Sequence, residues 1–270
     1  MKKIKIVTDS SCDLPRELIE KYSIEIVPLH VVMDGVDVNL TRDEILKGIS
    51  EGKNIKSSQV TPQGFKEVYP KILKEYDNII SVHLSSKISG TYGSAMVAAK
   101  EFGDKIEVVD SFSSSSALGA MVIKAAEMVE MTDDTKKIAE DLRKLSKENL
   151  KTIFGIKVMD NLVKGGRISS FAEKISNLIN AKPVLRGIDG EIKFYKMTLG
   201  FRRVLNEIVN FINSNEIMDN RVFIAHVHAD DDVKYIREHV KVHVYSCESG
   251  PIIAIHGGIG FVLVGFITAL

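Results

Sequence analysis

The N-terminal half of the chain alternates short runs of β-branched and apolar residues with longer amphipathic stretches. Strands followed by helices in this order pair in parallel, with right-handed crossovers and helices on both faces of the sheet. We therefore expect an N-terminal three-layer α/β domain with a mostly parallel sheet. The pattern predicts strands at 3–8, 24–33, 78–84 and 106–110, helices at 15–22, 41–51, 63–75, 93–102 and 116–131, and a polar loop at 54–61.

The second half of the chain is organised differently. A charged helix is predicted at 132–150, and the shift in composition around it places a domain boundary near Leu150, giving domains 1–150 and 151–270. Asp189-Gly190 is the strongest hairpin signal in the chain. We expect a smaller C-terminal two-layer α/β domain. Its predicted strands are 151–158, 183–188, 192–197, 221–226, 242–246 and 252–256, and its predicted helices are 160–164, 171–179, 202–213 and 232–240.

Charge and cysteine content narrow the classes of function. Thirty-six basic residues balance 36 acidic ones, which argues against a nucleic-acid partner because phosphate neutralisation needs an excess of Lys and Arg. Cys12 and Cys247 fit no metal or redox spacing, and the N-terminus lacks a signal-peptide pattern, so we expect a cytoplasmic protein. The most apolar run, 261–270, is too short for a membrane span and is predicted to be a buried element.

Hydroxyl groups cluster where the predicted N-terminal strands end. The clusters are Asp9-Ser10-Ser11, Ser85-Ser86 leading to Ser89-Gly90-Thr91, and Asp110-Ser111, with the loop Ser57-Ser58-Gln59 as a fourth. Ligands bind beyond the carboxyl ends of parallel strands, and hydroxyl and amide donors can hold a carboxylate or phosphate without a formal ion pair. Because Ser, Thr and Asp are also the preferred helix N-caps, capping explains the clusters equally well.

Two glycine-rich turns are similar in composition to nucleotide-binding loops. The turn 164–169 carries Arg167 and could hold an anion, and the turn 256–260 follows a predicted strand. Neither has the spacing of a P-loop or of a dinucleotide-binding fingerprint, so both of those kinds of nucleotide binding are excluded. Tight-turn geometry explains the glycines without any ligand.

A metal-dependent hydrolase is one alternative function. His226 and His228 lie two residues apart on a predicted strand and are followed by Asp230, which resembles the start of the H-x-H-x-D motif of binuclear zinc hydrolases. Asp231 stands where that motif has a further histidine, and a zinc site needs three or four ligands. A strand followed by an Asp-capped helix accounts for the same residues.

A serine esterase that uses Ser89 and His256 is a second alternative. The chain contains no G-x-S-x-G nucleophile elbow. A Ser–His pair without an orienting carboxylate makes a weak nucleophile. His256 could instead hydrogen-bond a ligand carboxylate or a serine hydroxyl, or simply pack in the interior.

Five segments spread over the whole chain share the order and spacing of one family's motifs. They are IVTDSSCDLP at 6–15, KSSQ at 56–59, LSSKISGTY at 84–92, VDS at 109–111 and GGRIS at 165–169. Together they resemble the DegV family of bacterial fatty-acid-binding proteins. The resemblance implies a two-domain protein that holds one long-chain fatty acid between its domains and has no catalytic residues, metal or cofactor of its own.

The same resemblance implies a place in lipid metabolism. Members of this kind act as the lipid-presenting subunit of a bacterial fatty acid kinase, whose catalytic subunit phosphorylates the bound carboxylate. The acyl phosphate then enters phospholipid synthesis. The implied partners are the fatty acid, the kinase catalytic subunit, an acyltransferase and, transiently, a membrane surface.

The resemblance also assigns roles to individual residues. It implies that Ser57, Ser89 and His256 bind the fatty-acid carboxylate, and that Arg167 and Arg202 lie at the portal or face the kinase. Ile259 stands where the family has a proline. A buried tail contributes about 0.8 kcal/mol per CH₂, so the head group needs only uncharged donors. Supporting loops are implied to contain Ser58, Gln59, Gly90, Thr91, Asp110 and Ser111.

Overall fold

The computed structural model describes residues 2–168 and 181–269. The helix predicted at 171–179 lies outside these residues. The described strands are β1 (Ile4–Asp9), β2 (Glu25–Val27), β3 (His30–Met33), β4 (Val36–Val38), β5 (Ile55–Ser58), β6 (Asn78–His83), β7 (Ile106–Asp110), β8 (Leu150–Gly155), β9 (Ala181–Ile188), β10 (Glu191–Leu199), β11 (Arg221–His226), β12 (His243–Glu248) and β13 (Val262–Ile267). The described helices are α1 (Arg16–Lys21), α2 (Arg42–Ser50), α3 (Pro62–Ile72), α4 (Thr91–Ala99), α5 (Ser115–Met131), α6 (Thr135–Glu148), α7 (Asp160–Lys164), α8 (Phe201–Asn213), α9 (Asp230–His239) and α10 (Pro251–Gly257).

The N-terminal half forms the predicted three-layer arrangement. Its sheet has the strand order β2-β1-β6-β7, with every neighbouring pair parallel. Side chains alternate between the two faces, so that Ile6 packs with α5 and α6 while Val7 packs with α3 and α4. The parallel α/β prediction is confirmed, and the carboxyl ends of β1, β6 and β7 share one edge.

A second, smaller sheet was not predicted. The stretch 24–33, predicted as one strand, divides into β2 and β3, with Pro28 between them. Because proline lacks the N–H that a ladder needs, it separates the two strands. β3 pairs antiparallel with β4 and with β5, and β5 lies in the stretch 54–61 that was predicted as a loop. The polar residues of β5 hid it, since only Ile55 of this strand is buried.

The C-terminal half forms a six-stranded sheet in the order β10-β9-β8-β13-β11-β12. The C-terminal apolar run supplies β13, which is buried throughout and lies between β8 and β11. The hairpin prediction is confirmed, because Asp189 and Gly190 join β9 to β10 with φ values of 53° and 81°. This left-handed pair is the backbone geometry of a type I′ turn. None of the helices in the described ranges has the length and apolar composition that crossing a bilayer requires.

The long helix α5 lies between the two larger sheets. It contacts β1 and β6 on one side and β13 and β11 on the other. At the closest approach, a Cβ on Gly265 would lie 2.2 Å from the Cα atom of Ala117. On the opposite face of the six-stranded sheet, α8 and α9 pack against β13. The domain boundary near Leu150 remains a prediction.

One element near the C-terminus was predicted wrongly. The apolar run 252–256 was expected to be a strand but forms helix α10. Gly250 and Pro251 begin the helix, and proline is favoured in the first helical turn. A short apolar run does not distinguish a buried strand from a buried helix, and α10 is surrounded by α2, α7, β3 and β5. The other elements predicted within residues 2–168 and 181–269 are present, with ends shifted by a few residues.

A buried polar network joins β1 to β6. The Asp9 carboxylate contacts His83 Nδ1 at 2.9 Å, and His83 Nε2 contacts the Ser81 hydroxyl at 2.7 Å. Ser81 in turn lies 2.9 Å from the hydroxyl of Tyr69. All four side chains are fully buried, so the network fixes the two strands relative to each other rather than reaching a substrate.

Candidate functional site

A cavity of about 370 Å³, here called the main cavity, lies at the edge where β1, β6 and β7 end. The loops after these strands form one side of it, and the other side includes residues of β5, α7, α10 and the strands β8, β9, β10 and β13. Its volume falls in the range of small-molecule binding sites. Most of its lining is apolar, from Leu29, Leu84, Ile88, Phe112, Phe154, Leu162, Ile192, Ile252, Ile253, Phe261 and Leu263.

Ser57 and His256 form a polar contact in the lining of this cavity. The hydroxyl of Ser57 lies 2.8 Å from His256 Nε2, across a separation of 199 residues. Ser57 is near the end of β5, and His256 is in the last turn of α10, which packs against β5. Packing of α10 against β5 brings the two side chains together. Neither element was predicted correctly from the sequence, since β5 was expected to be a loop and α10 a strand.

The His256 imidazole is neutral at pH 7. Burial lowers its pKa to about 4, and the positive charge of Arg167 contributes in the same direction. Nδ1 is buried and has no hydrogen-bond partner among the described residues. A neutral ring that faces a serine hydroxyl offers a hydrogen bond without offering a formal charge.

Ser89 lies on the same cavity, in the loop that leads into α4. Its hydroxyl accepts the N–H of Thr91 at 3.2 Å and lies 3.0 Å from the Thr91 hydroxyl. Gln59 approaches this loop so closely that a Cβ on Gly90 would lie 1.9 Å from its amide oxygen. The cavity lining includes Ser57, Ser58, Gln59, Ser89, Gly90, Arg167 and His256. Thr91 does not line the cavity but contacts Ser89. Their binding of a carboxylate stays a prediction.

Asp110 and Ser111 act on the cavity indirectly. The Asp110 carboxylate accepts the N–H groups of Ser86 and Phe112, the latter at 2.8 Å. The Ser111 hydroxyl accepts the N–H of Ser113 at 3.2 Å. Neither residue lines the cavity, but both hold the loop after β7, in which Phe112, Ser113 and Ser114 do line it.

Sequence reasoning missed several lining residues. Ser113 and Ser114 follow β7, and Ser113 contacts the Thr152 hydroxyl on β8 at 2.9 Å. The rule that hydroxyls gather after parallel strands could have found Ser113 and Ser114. Thr152 carried no such signal, because it lies on a strand of the other sheet.

The two predicted portal arginines occupy different places. Arg167 is exposed, lines the main cavity and donates from its guanidinium to the carbonyl oxygen of Gly165. Arg202 lies on α8, with its guanidinium carbon 3.3 Å from the centre of the Tyr235 ring. It does not line the main cavity, so the structure does not bring it to the site with Arg167. Its contact with a kinase stays a prediction.

The serine esterase alternative is not supported by the geometry. His256 pairs with Ser57, whereas the Ser89 hydroxyl pairs with Thr91. Among the described residues no carboxylate contacts His256 Nδ1 to orient the ring, which a Ser–His–acid arrangement requires.

The proposed metal ligands are only partly brought together. His226 and Asp230 have ligand atoms within 4.8 Å of each other and of Glu248, a residue that the sequence did not suggest. His228 falls outside this group. An ion pair of 2.7 Å between Glu248 and Arg42 places a competing cation at the cluster. The combination His226, His228 and Asp230 is therefore not the one that the fold assembles.

Comparison with known proteins identifies the family. The family model for uncharacterised proteins of the DegV family matches residues 3–269. The chain belongs to the DegV family. A DegV domain-containing protein of Clostridium acetobutylicum is 33% identical over 96% of this chain and 96% of its own length.

Solved structures that match this chain share its fold. A DegV family protein from Thermus thermophilus, described for its fatty acid binding, covers 99% of this chain with 29% identity and a TM-score of 0.89, and is itself covered over 100% of its length. A protein from Thermotoga maritima, described as revealing fatty acid binding function, covers 100% of both chains with 29% identity and a TM-score of 0.85.

Proposed function

We propose that this DegV protein binds a long-chain fatty acid, with the tail in the main cavity and the carboxylate at Ser57, Ser89 and His256. The observation that carries the proposal is an apolar cavity whose polar end is a serine hydroxyl paired with a neutral imidazole. The fatty acid binding described for the Thermus and Thermotoga proteins supports it.

The apolar lining and the polar Ser57–His256 end of the cavity match the two parts of a fatty acid. Burial of an acyl tail contributes about 0.8 kcal/mol per CH₂, so ten methylenes supply about 8 kcal/mol before the cost of association. The carboxylate then needs only enough donors to replace the water it loses. Hydroxyl groups and a neutral ring satisfy the carboxylate oxygens without a buried cation, which would reduce their nucleophilicity.

We also propose that the bound carboxylate is presented to the catalytic subunit of a fatty acid kinase. In that reaction a carboxylate oxygen bonds to the γ-phosphorus of ATP, the bond from that phosphorus to the bridging oxygen breaks, and ADP leaves. The exposed guanidinium of Arg167 at the cavity supports a role near the incoming phosphate. In this proposal the protein is a cytoplasmic carrier without catalysis of its own, passing acyl phosphate to an acyltransferase with transient membrane contact.

Binding is tested by lipid extraction and by titration. Mass spectrometry of lipid extracted from the purified protein should give a long-chain fatty acid. After delipidation, Ser57→Ala should weaken palmitate binding roughly tenfold, because a hydrogen bond to a charged group is worth about 1.5 kcal/mol or more. Ser86→Ala is the matched control, since Ser86 lies in a neighbouring loop outside the cavity lining. Equal affinity in all three proteins would contradict the assignment of Ser57.

Presentation is tested with a fatty acid kinase catalytic subunit and ATP. Hydroxylamine traps an acyl phosphate as a hydroxamate that mass spectrometry detects. We expect the hydroxamate only when the palmitate-loaded protein, the kinase subunit and ATP are all present. Formation without the kinase subunit would show that the chain is itself an enzyme.

A further inference from the structure

A second cavity lies on the other side of the Ser57–His256 pair. It measures about 340 Å³ and is bounded by the end of α2, β5, α7 and α10. Among the residues that the structure describes, three line both this cavity and the main cavity, namely Ser57, Arg167 and His256. The proposed head-group position therefore forms the wall between the two spaces.

The second cavity differs from the first in charge. Lys53, Lys56, Lys164 and Arg167 line it, and none of its described lining residues is acidic. The main cavity has one cation, Arg167, and one anion, Glu191, in its described lining. We call the second space the basic cavity.

Most of these cations lack an acidic partner. Lys53 lies 3.4 Å from Glu51, which satisfies part of its charge. Within residues 2–168 and 181–269, Lys56, Lys164 and Arg167 form no ion pair with a carboxylate. Three positive charges without a carboxylate partner among the described residues exceed what a single carboxylate balances, and they suit a phosphoryl group of charge about −1.5 to −2.

The geometry points to a phosphoryl-binding subsite in the basic cavity, which holds the phosphate of an acyl phosphate while the acyl chain stays in the main cavity. When the carboxylate lies at the shared wall, its hydrocarbon chain can extend into the main cavity. A phosphoryl group attached to the carboxylate can then extend into the basic cavity. The inference rests on the proposed function and adds the place where the phosphorylated head group is held.

The test compares two ligands that differ in their head group. Hexadecyl phosphate is a stable alkyl phosphate probe, and palmitate carries the same chain length with a carboxylate. The variant Lys56→Gln with Lys164→Gln removes two of the unpaired charges. Lys144→Gln with Lys234→Gln is the matched control, since both lysines are exposed, form no ion pair in the described ranges and line neither cavity.

We expect the Lys56/Lys164 variant to weaken hexadecyl phosphate binding about tenfold, because two charge-assisted contacts are lost at a partly solvated site. Palmitate affinity should not change, and the control should bind both ligands like the wild type. Loss of affinity for both ligands, or for neither, would overturn the subsite. Failure of the delipidated wild type to bind palmitate would instead overturn the proposed function itself.

A third probe separates the two sources of a phosphoryl group. Tripolyphosphate presents the phosphates of a donor without any acyl chain. We expect it to compete only weakly with hexadecyl phosphate, because it gains nothing from the main cavity. Tight binding of tripolyphosphate that depends on Lys56 and Lys164 would show that the basic cavity holds a donor's phosphates, and would refute the inference.

Discussion

The neutral state of His256 predicts a specific pH dependence of stability. Its pKa is about 4 in the folded protein, against an ordinary value of 6.5 in an unfolded chain. Between these values the unfolded chain binds a proton that the folded protein does not. Lowering the pH from 6.5 towards 4 therefore lowers the free energy of unfolding of the wild type. The His256→Gln variant has no imidazole to protonate at this position, so it should not show this loss.

The size of the effect follows from the two pKa values. The lowering of the His256 pKa from 6.5 to about 4 corresponds to a loss of about 3 kcal/mol in the free energy of unfolding once the pH is below both values. Between pH 7 and pH 5 the loss amounts to about 2 kcal/mol. Asp13 acts in the opposite direction, since burial raises its pKa to about 6 and the folded protein protonates it first. Only the difference between variant and wild type isolates the contribution of His256.

The measurement is urea denaturation of delipidated protein at pH 7 and pH 5. The wild type should lose about 2 kcal/mol more than His256→Gln over this interval. His243→Gln, which removes an exposed imidazole, controls for the loss of a histidine elsewhere. Bound palmitate should reduce the difference, because an adjacent carboxylate favours the protonated ring. The same pH dependence in wild type and His256→Gln would refute the reasoning.

Three further substitutions test the fold and the cavity. His83→Leu removes the buried contacts of His83 with Asp9 and Ser81, while Asp9 keeps its hydrogen bonds from Ser11 and Leu84, and should lower the free energy of unfolding by about 1–3 kcal/mol. An unchanged free energy of unfolding, measured by urea denaturation, would show that these contacts do not stabilise the fold. Gly265→Ala places a methyl group against Ala117 and should cost about 1–3 kcal/mol by the same measurement, whereas an unchanged midpoint would show that α5 can move away. Gly90→Ala should displace Gln59 and weaken palmitate binding in a titration, with unaltered affinity as the contrary result.

The parallel arrangement and one side of the cavity could be predicted from local patterns. The alternation of strand and helix patterns predicted that β1, β6 and β7 belong to a mostly parallel sheet, and parallel strands bring their carboxyl ends to one edge. The position of Ser89 at that edge follows directly. The same rule applies to Ser113, which follows β7 and lines the cavity.

The opposite side of the cavity could not be predicted in the same way. β5 has too few apolar residues to show a strand pattern, and the apolar run of α10 has no period that distinguishes helix from strand. The family resemblance suggested Ser57 and His256 without indicating that they touch. The basic cavity carried no sequence signal, because its lysines come from segments more than 100 residues apart.

By itself, the sequence determined the alternation of strands and helices, the hairpin at Asp189-Gly190 and the hydroxyl groups after the parallel strands. Each of these depends on interactions between residues that are close along the chain. Only the tertiary structure decided that Ser57 meets His256, that this histidine is neutral and that a basic cavity lies behind it. Those properties depend on burial and on contacts between distant segments, which exist only once the sheets have packed around α5 and α10.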